Sequence, residues 1–119
     1  MSAAQDFGIA PTTRQRLAAL FEQSVGLETV WIYGSRARGT QRNASDVDLA
    51  IDAPGWDWRA RSQFEHALEA LGLMYRVDIT WLQDKLDERF RALIERDRQL
   101  FWEPTQAAVD LPHVLGSTD

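Results

Sequence analysis

Two aspartates separated by one residue, Asp46 and Asp48, open the stretch DVDLAI, in which Val47, Leu49 and Ile51 alternate with Asp46, Asp48 and Ala50. That alternation has the period of a β-strand, where residues two apart point to the same side, so both carboxylates face one way and the apolar set anchors the other. A few ångströms apart, two carboxylates repel by roughly 4 kcal/mol at an effective dielectric near 20, a cost relieved by a cation or a shared proton. Hard oxygen ligands of this kind suit Mg2+ or Mn2+. Asp78 lies in a second alternating stretch, LMYRVDITW over 73–81, and joins the same face if the two strands are neighbours.

Ten residues separate Asp46 from a Gly34-Ser35 pair, which follows the branched and aromatic run TVWIY. A strand ending in Gly-Ser and opening a helical turn offers free backbone amides and a hydroxyl to a phosphate group. Three acidic side chains beside such a cradle describe a site for two-metal phosphoryl chemistry. Arg36 and Arg38 stand next to the cradle and are the candidates for stabilising phosphate charge, with Arg42 behind them. The plainer alternatives are a solvated strand face for Asp46 and Asp48, and a solvated turn or salt bridges back to the aspartates for the two arginines. Of thirteen basic residues all but Lys85 are arginine, which suits bidentate contacts to phosphate but also follows from genomic base composition.

The elements that must position these groups are readable from spacing. Pro11-Thr12-Thr13 starts a helix with Leu17, Leu20, Phe21 and Val25 at helical intervals, and Gly26 ends it. Thr29 to Tyr33 is a strand, followed by a very short helix after Gly34. The DVDLAI strand comes next, then a loop from Asp52 to Asp57 and a helix from about 58 to 71 with Phe64, Leu68 and Leu71 on one face. After the 73–81 strand, residues 82–99 read as a helix with Leu86, Phe90, Leu93 and Ile94 as its core stripe and ion pairs such as Glu88–Arg91 and Glu95–Arg98 on its wet face. The order is αβαβαβα: a small mixed sheet of at least three strands, helices packed on one face, and the acidic site at an exposed edge. Trp31 and Trp81 belong in the core, whereas Trp56 and Trp58 flank a loop and could be exposed for stacking or docking. Residues 103–119 carry two prolines and no period, and read as a tail or docking arm beyond a 1–102 domain.

Composition limits the alternatives. A chain of 119 residues, 45% hydrophobic and 26% charged, has the make-up of one globular domain with one core. No apolar run is long enough to span a bilayer, and the N-terminus does not read as a secretory signal, so a cytoplasmic location is expected. Without cysteine there are no disulfides, thiolate zinc sites or cysteine nucleophile, and neither His66 nor His113 has neighbours that make it an acid, base or ligand. A net charge of −5 disfavours nonspecific nucleic-acid binding.

The G-S-x10-D-x-D pattern followed by a third strand aspartate resembles the nucleotidyltransferase superfamily related to DNA polymerase beta, in particular its minimal nucleotidyltransferase branch, over roughly residues 12–102. The resemblance implies that Asp46, Asp48 and Asp78 hold two Mg2+ ions (or Mn2+), that Gly34 and Ser35 hold the β and γ phosphates of ATP, and that Arg36, Arg38 and Gly39 occupy positions commonly filled this way in the branch. It implies transfer of AMP to an acceptor with loss of pyrophosphate. So small a catalytic core needs another protein to supply the acceptor, and in this branch the partner is often a HEPN-domain toxin, with the nucleotidyltransferase as antitoxin in a homo- or hetero-oligomer. The competing expectations are a catalytically silent module of the same fold that neutralises its partner by binding, and an antibiotic-modifying adenylyltransferase.

Overall fold

The computed structural model describes residues 6–104. Its elements run α1 (Pro11–Gln23), β1 (Thr29–Tyr33), α2 (Ser35–Arg38), β2 (Val47–Asp52), α3 (Trp58–Ala70), β3 (Val77–Trp81), α4 (Glu88–Asp97) and β4 (Gln99–Trp102). The four strands form one mixed sheet in the order β3-β2-β1-β4. β1 is antiparallel to both β2 and β4, and β2 is parallel to β3.

One face of the sheet is dry. Val30 and Ile32 of β1, Val47, Leu49 and Ile51 of β2 and Trp81 of β3 are buried there against Leu17 and Phe21 of α1 and Phe64 and Leu68 of α3. Aromatic rings fill the layer: Phe21 stacks on Phe64 at 6.1 Å, and Trp81 lies 6.1 Å edge-on from Phe64. The segment before α1 joins this core through Phe7 and Ile9, which are 6% and 2% exposed.

Expecting all helices on one face is corrected by α4. Its Ile94 packs with Tyr33 and Ala50, whose side chains point away from the first core, so α4 covers part of the opposite face. α4 is also shorter than the 82–99 reading. Leu82 N–H donates to Ile51 O and Asp84 N–H to Trp81 O, which carries the chain through turns, and the Asp87 side chain then caps the helix by accepting from Arg89 and Phe90 N–H. The ion pairs placed on its wet face are replaced by other contacts: Arg91 donates to Leu82 O and Asp84 O, and Arg98 lies over the Trp31 ring at 4.5 Å.

β4, which sequence spacing did not reveal, pairs with β1 across a register shift between Val30 and Trp31. Val25 lies beyond the end of α1 and is 92% exposed rather than part of its core stripe. Trp56 is half-buried, donates Nε1–H to Val25 O at 2.8 Å and packs on Phe64 and Trp81, so only Trp58 is exposed of the loop pair. Asp57 is a helix cap, accepting from Ala60 N–H. Most of the 103–119 arm lies outside the described residues.

Candidate active site

Three side chains lie in one row across the sheet. Tyr33 is the register partner of Asp48 in the antiparallel pair, and Asp48 is the register partner of Asp78 in the parallel pair. Register partners share a face and sit about 5 Å apart. The row therefore lies opposite the dry core, with Val47 and Leu49 buried behind it at 1% and 0% exposure. Asp46, one residue ahead of β2, is half-buried and close enough to act on Asp48 electrostatically.

Asp48 carries the electrostatic strain of the cluster. Burial raises its pKa above the usual carboxylate range, the neighbouring charges of Asp78 and Asp46 push it further, and Arg36 and Arg38 pull the other way. Burial likewise raises the Tyr33 phenol, with Asp48 and Asp78 adding to it against the hydrogen bond to Thr80, so Tyr33 stays protonated at neutral pH. Its hydroxyl lies 3.0 Å from Thr80 Oγ1, which sets the ring across the sheet just beyond the carboxylates.

The Gly34-Ser35 turn closes on this row from one side. Gly34 has φ +79°, and a β-carbon there would lie 2.5 Å from Asp48 Oδ2, so conformation and space both demand glycine. Ser35 opens α2, whose first intrahelical bond is Arg38 N–H to Gly34 O at 3.1 Å. The amides of Ser35, Arg36 and Ala37 precede that bond, as the leading amides of a helix do. Gln99 of β4 fixes the turn from behind, donating from Nε2 to Ala37 O at 2.8 Å.

The two arginines part company. Arg36 is 2% exposed, and its guanidinium donates to Phe7 O (3.0 Å), Gly8 O (3.2 Å), Asn43 O (3.4 Å) and Ser45 O (2.9 Å) while lying over the Tyr75 ring at 5.0 Å. Its side chain is thus committed to backbone carbonyls, which corrects the expectation that it faces a nucleotide. It ties the segment before α1 to the loop that delivers Asp46. Arg38 is at the surface, with Nη1 2.7 Å from Asp97 Oδ2 at the end of α4. The bonds from Arg96 and then Arg38 hold the Asp97 carboxyl below its usual range.

Asp78 is not turned inward. Its side chain is 44% exposed, with Oδ1 3.5 Å from Arg76 Nε. It lines a groove of about 620 Å3 between β3 and α3, whose walls include Glu65, His66, Glu69 and Arg76. Among the described residues, no three acidic or histidine side chains are gathered into a ready-made cation cage. What the row offers is a set of hard carboxylate oxygens whose mutual repulsion has no full internal compensation, the condition that a divalent cation relieves. Tyr33 is the member of the row that motif reasoning missed. TVWIY places it on the Trp31 face, but its register against Asp48 depends on strand pairing that spacing alone does not give.

Comparison with known proteins bears on the family and the fold. The family model described as Polymerase beta, Nucleotidyltransferase matches residues 15–106. A probable protein adenylyltransferase, MntA of Haemophilus influenzae, is 35% identical over 79 residues, covering 65% of this chain and 68% of the relative. Among solved structures, one described as a minimal nucleotidyltransferase superposes with a TM-score of 0.59 at 29% identity, covering 82% of this chain and 98% of the other. The fold also matches, with a TM-score of 0.55 at 20% identity, a structure of a tri-AMPylated Shewanella oneidensis HEPN toxin in complex with an MNT antitoxin, over 90% of this chain and 82% of the matched one.

Proposed function

From the premise that the chain belongs to the polymerase beta-type nucleotidyltransferase family, we propose that it is a magnesium-dependent adenylyltransferase that moves AMP from ATP to a hydroxyl of a HEPN-class toxin and so acts as that toxin's antitoxin. The observation that carries this reading is the fit of the Asp48 carboxylate against the bare α-carbon of Gly34, in a row with Asp78. It sets the Gly34-Ser35 turn, the proposed phosphate cradle, directly beside the acids.

Asp46, Asp48 and Asp78 would hold the metal ions. When bound, divalent ions supply charge neutralisation for the triphosphate and lower the pKa of the acceptor hydroxyl. Ser35 and the leading amides of α2 receive the β and γ phosphates, and Arg38 adds positive charge at the surface of the same turn. The acceptor oxygen forms a bond to the α-phosphorus as the bond from that phosphorus to the bridging oxygen of pyrophosphate breaks in line. Asp78, which borders the open groove, takes the acceptor's proton.

The pairing of Asp78 with Arg76 favours one second reading, a silent module that neutralises its partner by binding alone. Incubation with α-labelled ATP, Mg2+ and a HEPN-domain protein encoded beside it separates the two. Label on the partner, lost on chelation of the metal, supports transfer. A stable complex without label supports the silent module.

A further inference from the structure

α4 leaves one large aromatic side chain at the surface on the acidic side of the sheet. Phe90, in the first turn of α4, is 36% exposed, and its ring forms a T-shaped pair with Tyr33 at 5.9 Å and 77°. In such a pair at most one face of each ring is used, so at least one face of Phe90 is left by Tyr33. The Tyr33 ring lies just beyond the carboxylates, because its hydroxyl reaches Thr80, two residues on from Asp78. Phe90, packed against Tyr33, therefore lies on the acidic side of the sheet, beyond the Tyr33 ring as seen from the carboxylates.

The other end of α4 fixes the scale. Asp97 is bonded by Arg38 of the short helix that starts at the phosphate turn. Phe90 stands seven residues earlier, about 10 Å back along a helix rising about 1.5 Å per residue. The turn and the exposed aromatic thus stand near opposite ends of α4, with Tyr33 between Phe90 and the acidic row. Trp58, the other exposed aromatic, belongs to α3 on the opposite face and has no part in this arrangement.

We infer that Phe90 is the nucleobase wall of the site, offering its ring face to the purine of a nucleoside triphosphate whose phosphates lie at the Gly34-Ser35 turn. The inference rests on the nucleotide reading above and adds what holds the end remote from the phosphates. Stacking on an aromatic ring favours a flat base over none while discriminating weakly among bases, since every base has a π-face.

Calorimetric titration of the full chain with ATP and with inorganic tripolyphosphate, each with Mg2+, tests it in the unmodified protein, in Phe90→Ala and in Phe90→Leu. Leucine keeps apolar bulk against Tyr33 and removes the π-face, and thermal melting checks that both variants fold. ATP affinity should fall on the order of tenfold in both variants, with tripolyphosphate affinity unchanged. Equal weakening of both ligands, or no change in ATP affinity while the unmodified protein binds both, overturns the base wall alone. Failure of the unmodified protein to bind either ligand overturns the nucleotide reading and this inference with it.

Discussion

β2 is one strand with two unlike sides. Val47, Leu49 and Ile51 are at most 1% exposed and packed in the core with residues of α1 and α3, whereas Asp48, between Val47 and Leu49, faces Gly34 and is pressed by Asp78 and Asp46. The first side gains stability from apolar area removed from water. The second spends some of it, because burial and like charges disfavour the ionised carboxylate. Around Asp48, stability and proposed chemistry are thus divided by side-chain parity, although Ala50 on the Asp48 side is buried under α4, and Asp48 and Leu49 can each be altered with the other as control.

The largest expected effect falls on the acidic side. Asp48→Asn should lower transfer roughly a thousandfold, equivalent to about 4 kcal/mol of barrier, while the metal-free protein melts at the same temperature or higher. A rate assay and a melting curve on the same preparation check both halves, and a large drop in melting temperature would mean that Asp48 is structural.

Next comes the dry side. Leu49→Ala should cost about 3 kcal/mol of unfolding free energy by cavity formation, read from urea denaturation. Specific transfer activity per folded molecule should stay near that of the unmodified protein. If activity collapses in the molecules that remain folded, the two sides are coupled and the division fails.

A smaller effect sharpens the electrostatic half. The Asp48 pKa is raised in the folded state, so the folded protein binds the proton more tightly than the unfolded chain. Its contribution is fully present below the unfolded carboxylate pKa and is lost as pH rises through the folded value. The stability of Asp48→Asn relative to the unmodified, metal-free protein should therefore grow as pH rises from about 4 towards neutrality. Melting temperatures across that range, without divalent ions, check the sign.

The smallest effect is expected at the rim. Arg76→Gln removes an exposed partner of Asp78 and should change stability by less than about 0.5 kcal/mol. A comparable variant at a core position of β3 would not be so mild, and denaturant midpoints of the two show whether Asp78 depends on that arginine for its place.

How far these features could be read from sequence follows from the range of the forces involved. Alternation in DVDLAI is a local pattern, and it correctly separated Asp48 from Val47 and Leu49. The parallel pairing that brings Asp78 level with Asp48 is not local, and entered only as a condition on neighbouring strands. β4 has four residues, too few to show a period, and is defined by its bonds to β1. Arg36 illustrates the other limit. Beside a phosphate turn an arginine suggests anion binding, but carbonyls of Phe7, Gly8, Asn43 and Ser45 converge on this one, and such convergence is a property of the folded chain. Trp56 is similarly ambiguous in sequence, and its surroundings come from the Val25 carbonyl and the rings of Phe64 and Trp81.

The Arg36 clamp makes the site depend on residues that touch none of it. A recombinant version pared back to begin at residue 15, where the family match starts, would delete the Phe7 and Gly8 carbonyls and leave a buried cation short of acceptors. Its harm would surface some forty residues downstream, as slack in the approach to Asp46. Any trimming of this chain has to keep Phe7 and Gly8, whose carbonyls hold the Arg36 guanidinium in place.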